Sequence, residues 1–273
     1  MIRLALRVAR ADAEIALAEL LQLAPAGVEE IDHGDIVEYA VYGAPGELPA
    51  LPDLRAAAGA ALVDITTREV ADDWATAWRS FHRPVTIGDR IHVRPPWAEP
   101  PSRLDANLLD IVVDPGQAFG TGAHDTTRLC LEALLSLEPG GPLVDLGCGS
   151  GVLAIAAAKL GWTPVLGIDH ERESVLAARD NALVNGVQLD VRHGDLLHGG
   201  PVPTALTVVA NLLRPLLAHV ARAGFDGEPP QVLVISGLLH AEADAIAAAF
   251  GAHGLRERAR CQRGDWAALT LVR

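Results

Sequence analysis

The sequence predicts a two-part protein: an α/β domain built on a doubly wound, mostly parallel sheet with an antiparallel C-terminal hairpin, preceded by a small α+β domain of ferredoxin-like order. Three observations predict it. From about residue 105 onward, apolar runs of strand length alternate with segments of helical period, the pattern that builds a parallel sheet with helices on both faces. The last two runs, 254–261 and 266–272, have no helix between them, so they pair as a hairpin. The first seventy residues instead read strand, helix, strand, strand, helix, strand, the order of the split βαβ motif.

Each element has a local reason. Residues 2–9 alternate as a strand, 11–23 (ADAEIALAELLQL) repeat at helical spacing, and 27–42 hold two strand-like runs joined by His33-Gly34-Asp35. An Ala-rich helix near 53–60 and a strand near 61–69 complete a first domain at 1–69. Residues 70–83 read as a linker helix, on which Trp74, Trp78 and Phe81 share one face and pack. The second domain, 84–273, opens with two strands up to residue 97 and then alternates: strand 110–113, helix 124–137, strand 142–146, helix 151–160, strand 164–169, helix 171–184, strand 187–193. Strands near 205–210 and 231–236 each precede a further helix. In such sheets a ligand sits at the carboxyl ends of the strands, at the switch point.

Composition narrows the class of function. No apolar run approaches the length needed to cross a bilayer, and Arg3, Arg7, Arg10 and Asp12 interrupt the N-terminus. Cys130, Cys148 and Cys261 are an odd number without CxxC spacing, as expected of reduced thiols in cytoplasm rather than disulfides or a thiolate metal site. None of the ten histidines forms HxxxH or HExxH, so no metal is expected. A net charge of -13 argues against naked nucleic acid as the main partner and fits a basic protein better. Residues 1–69 carry twelve Asp/Glu against five Arg, so the acidity is concentrated there.

The strongest motif is Leu143-Val144-Asp145-Leu146-Gly147-Cys148-Gly149-Ser150-Gly151, a buried strand running through a glycine turn into a helix. Gly147, Gly149 and Gly151 let the backbone turn sharply and approach a ligand closely. The G-x-G-x-G spacing departs from the G-x-G-x-x-G of nicotinamide and flavin sites, and no lysine follows to pair with phosphate. That suits a nucleoside lacking phosphate, whose carboxylate uses the helix N-terminus and whose ammonium uses a nearby acid such as Asp145. Asp169 ends the next strand, twenty residues past Gly149, where its carboxylate can accept from both ribose hydroxyls. Asp195, in His193-Gly194-Asp195-Leu196 after the third strand, stands where an adenine amino group would lie.

The series DLGCGSG, GID, HGD and Ala210-Asn211-Leu212-Leu213 resembles the class I S-adenosylmethionine-dependent methyltransferases. DPGQAFGTGAHDTT at 114–127 and WATAWRSFHRPVTIGDR at 74–90 resemble the PrmA family, methyltransferases of large-subunit ribosomal protein eleven, as do KLG at 159–161, ANLLRPL at 210–216 and SGLL at 236–239. The resemblance implies that Thr126, Gly147, Asp169 and Asn211 contact S-adenosylmethionine, and that Phe119 and Gly120 lie in a loop closing over it. It further implies a substrate-recognition domain joined by a mobile helix to the catalytic domain, and methylation of lysine side chains and the α-amine of the ribosomal protein. Family members often carry Asp two positions after the ribose-binding acid, where this chain has Glu171.

Methyl transfer needs an unprotonated amine, and a lysine with a pKa of about 10.4 must lose its proton first. Desolvation beside a sulfonium cation favours that loss. Asn211 is the candidate to orient the amine, His124 to order the loop beside Thr126, and no side chain stands out as general base. A monomer that acts without nucleic acid or membrane is expected. Two other readings, a lysine methyltransferase of the electron-transfer flavoprotein β-subunit type and a non-catalytic binding module, are disfavoured by the N-terminal domain and by the intact Thr126, Gly147, Asp169 and Asn211 set respectively.

Overall fold

A computed structural model describes residues 2–10, 13, 16, 20, 29–43, 48, 59, 62–69, 82–101, 108–115, 120, 122–198 and 200–273. The chain divides into two compact units, Met1–Phe81 and His82–Arg273. The helix expected near 53–60 and, up to residue 81, the linker helix expected at 70–83 lie outside the described residues, apart from Gly59.

In the first unit, strands β1 (Ile2–Ala9), β2 (Glu29–Asp32), β3 (Ile36–Gly43) and β4 (Leu62–Glu69) form one sheet in the order β2-β3-β1-β4. Every neighbouring pair is antiparallel, the arrangement expected of the split βαβ order. Leu4, Leu6 and Val8 sit opposite Val41, Tyr39 and Val37 and form a buried core with Ala13, Ala16 and Leu20. These last three are helical, at spacings of three and four within the stretch read as a helix, and the Tyr39 hydroxyl donates to the Ala13 carbonyl at 3.1 Å. On the other face of the sheet Glu38 accepts from Arg3 and Arg7, each at 2.6 Å. The Arg3 bond leads in holding its carboxyl below the usual range against the cost of desolvation.

The second unit holds strands β5 (Val85–Ile87), β6 (Ile91–Arg94), β7 (Leu109–Val112), β8 (Leu143–Leu146), β9 (Val165–Asp169), β10 (Asp190–His193), β11 (Thr207–Asn211), β12 (Val232–Leu239), β13 (Arg256–Arg263) and β14 (Trp266–Val272). Its helices are α1 (Asp125–Leu135), α2 (Val152–Leu160), α3 (Arg172–Val184), α4 (Arg214–Ala223) and α5 (Ala243–Gly251). The main sheet runs β10-β9-β8-β11-β12-β14-β13. The five strands β8 to β12 pair in parallel, and β14 is antiparallel to both β12 and β13. All four residues of β8 are buried, because this central strand is covered on both faces. Leu217, Val220, Ile246 and Phe250 from α4 and α5 pack on one side; Leu131, Leu134 and Ile155 from α1 and α2 pack on the other.

One element differs from the sequence expectation. The strand expected at 110–113 within the doubly wound series is β7, which leaves the main sheet and joins β5 and β6 in a separate three-stranded sheet. Two side-chain sets explain its placement. Arg94 of β6 grips Asp110 of β7 through Nε at 3.0 Å and Nη2 at 2.8 Å. Asn185 brackets Val112, accepting from its N–H at 2.9 Å and donating to its carbonyl at 2.6 Å, so an amide side chain replaces the neighbour strand on the far edge of β7.

Candidate active site

Strand order determines the layout of the site. Chain direction reverses its stepping at β8, which has β9 on one side and β11 on the other, so the loops leaving β8 and β11 diverge and open a crevice. There the turn from β8 into α2 holds its shape through Ile168, whose carbonyl accepts from the N–H groups of Gly147 at 2.8 Å and Cys148 at 2.9 Å. Gly147 has φ of 72°, and a Cβ built on it would come within 2.3 Å of Leu212 Cδ2, so both conformation and space demand glycine. Gly151 caps α2, and a Cβ there would meet the Cβ of Ala178 at 3.0 Å. It lets α3 pack close to the turn.

Asp169 lies just beneath that turn. Its Oδ2 accepts from Gly149 N–H at 2.8 Å and its Oδ1 from Glu171 N–H at 3.0 Å. The residue is only 7% exposed, yet each oxygen keeps lone-pair capacity toward the crevice. Asp145 behaves differently. It is fully buried inside β8, its Oδ2 accepts from Ala154 N–H at 3.1 Å, and its Oδ1 has no partner among the described residues. Burial pushes its carboxyl up to about 7, against the Ala154 bond and reinforced by the Asp169 charge. It supports the turn from behind and does not line the crevice.

The crevice encloses about 640 Å³. Six of the seven strands of the main sheet deliver a lining residue at or near one end: Asp195 after β10, Asp169 on β9, Gly147 after β8, Asn211 on β11, Gly237 within β12 and Trp266 opening β14. With neighbouring strands about 4.8 Å apart, this is a graded wall, acidic at one end and aromatic at the other. At the acidic end, Asp195 accepts from Leu197 N–H and pairs with His198 Nδ1, both at 2.7 Å, and the His198 bond leads in holding its carboxyl below the usual range. Beyond the glycines, Asn211 donates through Nδ2 to Thr127 Oγ1 at 3.3 Å, leaving its Oδ1 to accept. Thr126 opens α1, buried, with its N–H directed at His124 Nδ1 at 3.3 Å and its hydroxyl 2.8 Å from the same nitrogen. His124 in turn meets the Trp266 ring edge-on, centroids 5.3 Å apart.

Of the residues singled out from the sequence, Thr126, Gly147, Gly149, Asp169, Asp195 and Asn211 line this one cavity. Gly120 lies beside it, lining with Thr127 and Asn211 a small void of about 20 Å³, and Phe119 lies outside the described residues. Trp266, His170 and Gly237 also line the cavity, and the sequence reading assigned them nothing there. Gly237 had a signal in the SGLL stretch: its φ is +85°, and a Cβ would sit 2.3 Å from the Leu212 carbonyl oxygen. It allows β12 to bulge past the backbone that carries Asn211.

Comparison with known proteins agrees with this geometry. Residues 53–273 match the family model described as ribosomal protein L11 methyltransferase (PrmA). The chain belongs to this family. The ribosomal protein L11 methyltransferase of Synechococcus sp. (strain RCC307) is 38% identical over 216 residues, 74% of this chain and 69% of that protein. That of Geobacter metallireducens is 39% identical over 213 residues, 75% and 67% respectively. The alignments to these and to the Heliobacterium modesticaldum protein span 64% to 69% of the relatives' own lengths. Among solved structures, a ribosomal protein L11 methylase from Lactobacillus delbrueckii subsp. bulgaricus superposes with a TM-score of 0.62 at 27% identity, covering 70% of this chain and 99% of that one.

The protein is therefore an S-adenosylmethionine-dependent methyltransferase. Its crevice fits the cofactor on independent grounds. The glycine turn leaves a cradle that a Cβ at Gly147 would fill, an acid for hydroxyl groups ends β9, and the turn carries no phosphate-binding lysine.

Proposed function

We propose that this chain transfers methyl groups from S-adenosylmethionine to the lysine ε-amines and N-terminal α-amine of ribosomal protein L11. The relatives' names supply the acceptor, and one observation supplies the amine chemistry. Asn211 stands between the glycine turn and the His124–Trp266 pair with its Nδ2 committed to Thr127 and its Oδ1 left over.

In this reading Asp169 takes the ribose hydroxyls, Asp195 the adenine amino group, and Thr126, Gly147 and Gly149 the remainder of the cofactor, with Asp145 supporting the turn and Phe119 and Gly120 covering it. When bound, S-adenosylmethionine supplies an electrophilic methyl group on a sulfonium centre. Asn211 Oδ1 accepts from the amine N–H and aims the nitrogen lone pair along the line of displacement. The Trp266 ring and the buried Leu212 side chain give the site apolar walls, which favour the neutral amine over the ammonium. No side chain serves as general base in this reading, and the amine sheds its proton to water before attack.

The N-terminal domain at 1–69 serves as the substrate-recognition part, carried on the linker at 70–83, and the catalytic domain is 84–273. Its twelve acidic residues against five arginines suit a basic protein acceptor. No helix among the described residues is long and apolar enough to cross a membrane. We place the enzyme in the cytoplasm, working as a monomer without nucleic acid. The test is incubation with methyl-labelled S-adenosylmethionine and ribosomal protein L11, with labelled positions mapped by mass spectrometry. Label on several amines supports the proposal, and cofactor binding with an unlabelled acceptor overturns it.

A further inference from the structure

Two buried polar residues lie behind the cavity without lining it. Ser150 is fully buried and Asn181 is 3% exposed. Ser150 sits between Gly149 and Gly151 in the turn, and its hydroxyl donates to the Gly120 carbonyl at 2.6 Å. Asn181, on α3, donates through Nδ2 to the Ser150 carbonyl at 2.9 Å and accepts at Oδ1 from Asp114 N–H at 3.0 Å. The backbone at Asp114 and the backbone at Gly120 are thus both tied to one residue of the glycine turn, from two directions and across gaps of 30 to 67 residues. Space at Gly120 is equally constrained, since a Cβ there would meet Ser150 Oγ at 3.1 Å.

If these residues only filled space, apolar side chains would do so at lower desolvation cost. A fully satisfied buried network specifies one geometry instead. Asn185, the residue that caps the end of the same helix, provides a contrast: it brackets Val112 and donates to the Asn181 backbone carbonyl at 2.8 Å but makes no bond to the turn.

We propose that Ser150 and Asn181 are positioning residues for the cofactor, a relay that fixes the backbone at Asp114 and Gly120 to the glycine turn so that occupancy of the turn and placement of that backbone are one equilibrium. The inference rests on reading the cavity as the cofactor site. Neither residue touches the reacting atoms; both act through the turn.

The experiment measures amide hydrogen exchange at Asp114 in the full chain, with and without S-adenosylhomocysteine, while calorimetry records binding of the same ligand. Occupancy should slow exchange at Asp114 in the wild type. Asn181→Ala should raise KM for S-adenosylmethionine about tenfold with kcat changed by less than about threefold, whereas Asn185→Ala should move KM by less than about twofold. Ser150→Ala combined with Asn181→Ala should weaken binding by less than the product of the single effects. Ligand bound by calorimetry with exchange at Asp114 unchanged overturns the relay, and because this is read on the wild type it holds even if a variant fails to fold. So does a KM effect of Asn181→Ala no larger than that of Asn185→Ala. Absence of ligand binding altogether overturns the cavity reading and the relay with it.

Discussion

Two side chains near the glycine turn should respond to substitution in opposite ways. Asn211 is half-buried and makes one weak bond at 3.3 Å, so Asn211→Ala should leave the melting temperature nearly unchanged while lowering kcat roughly 100-fold. Steady-state kinetics beside a thermal melt separates the two, and wild-type turnover would remove Asn211 from its role. Asp145 should show itself in stability. A carboxyl whose folded pKa is raised keeps a proton in the native state that the unfolded chain has released. Its stabilising contribution is therefore full below the unfolded pKa of about 4 and is lost as pH rises through about 7. Asp145→Asn has no proton to lose, so the fall in melting temperature between about pH 5 and about pH 8 should be smaller than in the wild type. An unchanged fall would mean the buried carboxyl ionises without cost. Asp169 was legible in the sequence because its place follows from a fixed offset past a glycine turn. The inward placement of Asp145 was not, since strand alternation alone does not say which face of a doubly covered strand meets the ligand.

At the scale of elements, the bulge in β12 is the most sensitive joint. Gly237 lies at the register shift between Ile235 and Leu238, and its missing Cβ makes room for the carbonyl of Leu212. Gly237→Ala combines a left-handed conformation with a 2.3 Å clash against backbone. It should cost about 1–3 kcal/mol and displace the turn that carries Asn211. Chemical denaturation with a parallel activity assay checks this, and a variant as stable and active as the wild type would show that the bulge relaxes freely. Periodicity located most elements of the second unit, some with unchanged ends and some with ends moved by a few residues: the strand expected at 266–272 is Trp266–Val272, and the helix expected at 124–137 is Asp125–Leu135. Strand β7 was misassigned to the main sheet because its placement is set by Arg94 and Asn185, contacts that hydropathy does not carry. Trp266 was missed for a related reason. It reaches the cavity only because β14 inserts between β12 and β13, and strand insertion is invisible in strand order along the chain.

For the whole molecule, each unit has a core of its own: Leu6, Tyr39 and Leu20 among others in the first, and the two faces of the seven-stranded sheet in the second. A chain lacking residues 1–69 should therefore still fold and bind S-adenosylhomocysteine with an affinity within a few-fold of the full protein, while methyl transfer to ribosomal protein L11 should drop at least tenfold. Calorimetry and a labelling assay on the shortened chain test this. Undiminished transfer would take substrate recognition away from the N-terminal domain.

Because six of the seven strands of the main sheet each contribute to the cavity wall, a ligand spanning it is complementary only to the finished sheet. A partly assembled chain offers it little. Ligand at a hundred times its Kd adds about 2.7 kcal/mol to the stability of the state that binds it, a sizeable share of the 5–15 kcal/mol or so that ordinarily separates a folded domain from its unfolded chain. The cellular supply of methyl donor would then set how much of this enzyme escapes degradation as well as how fast it works.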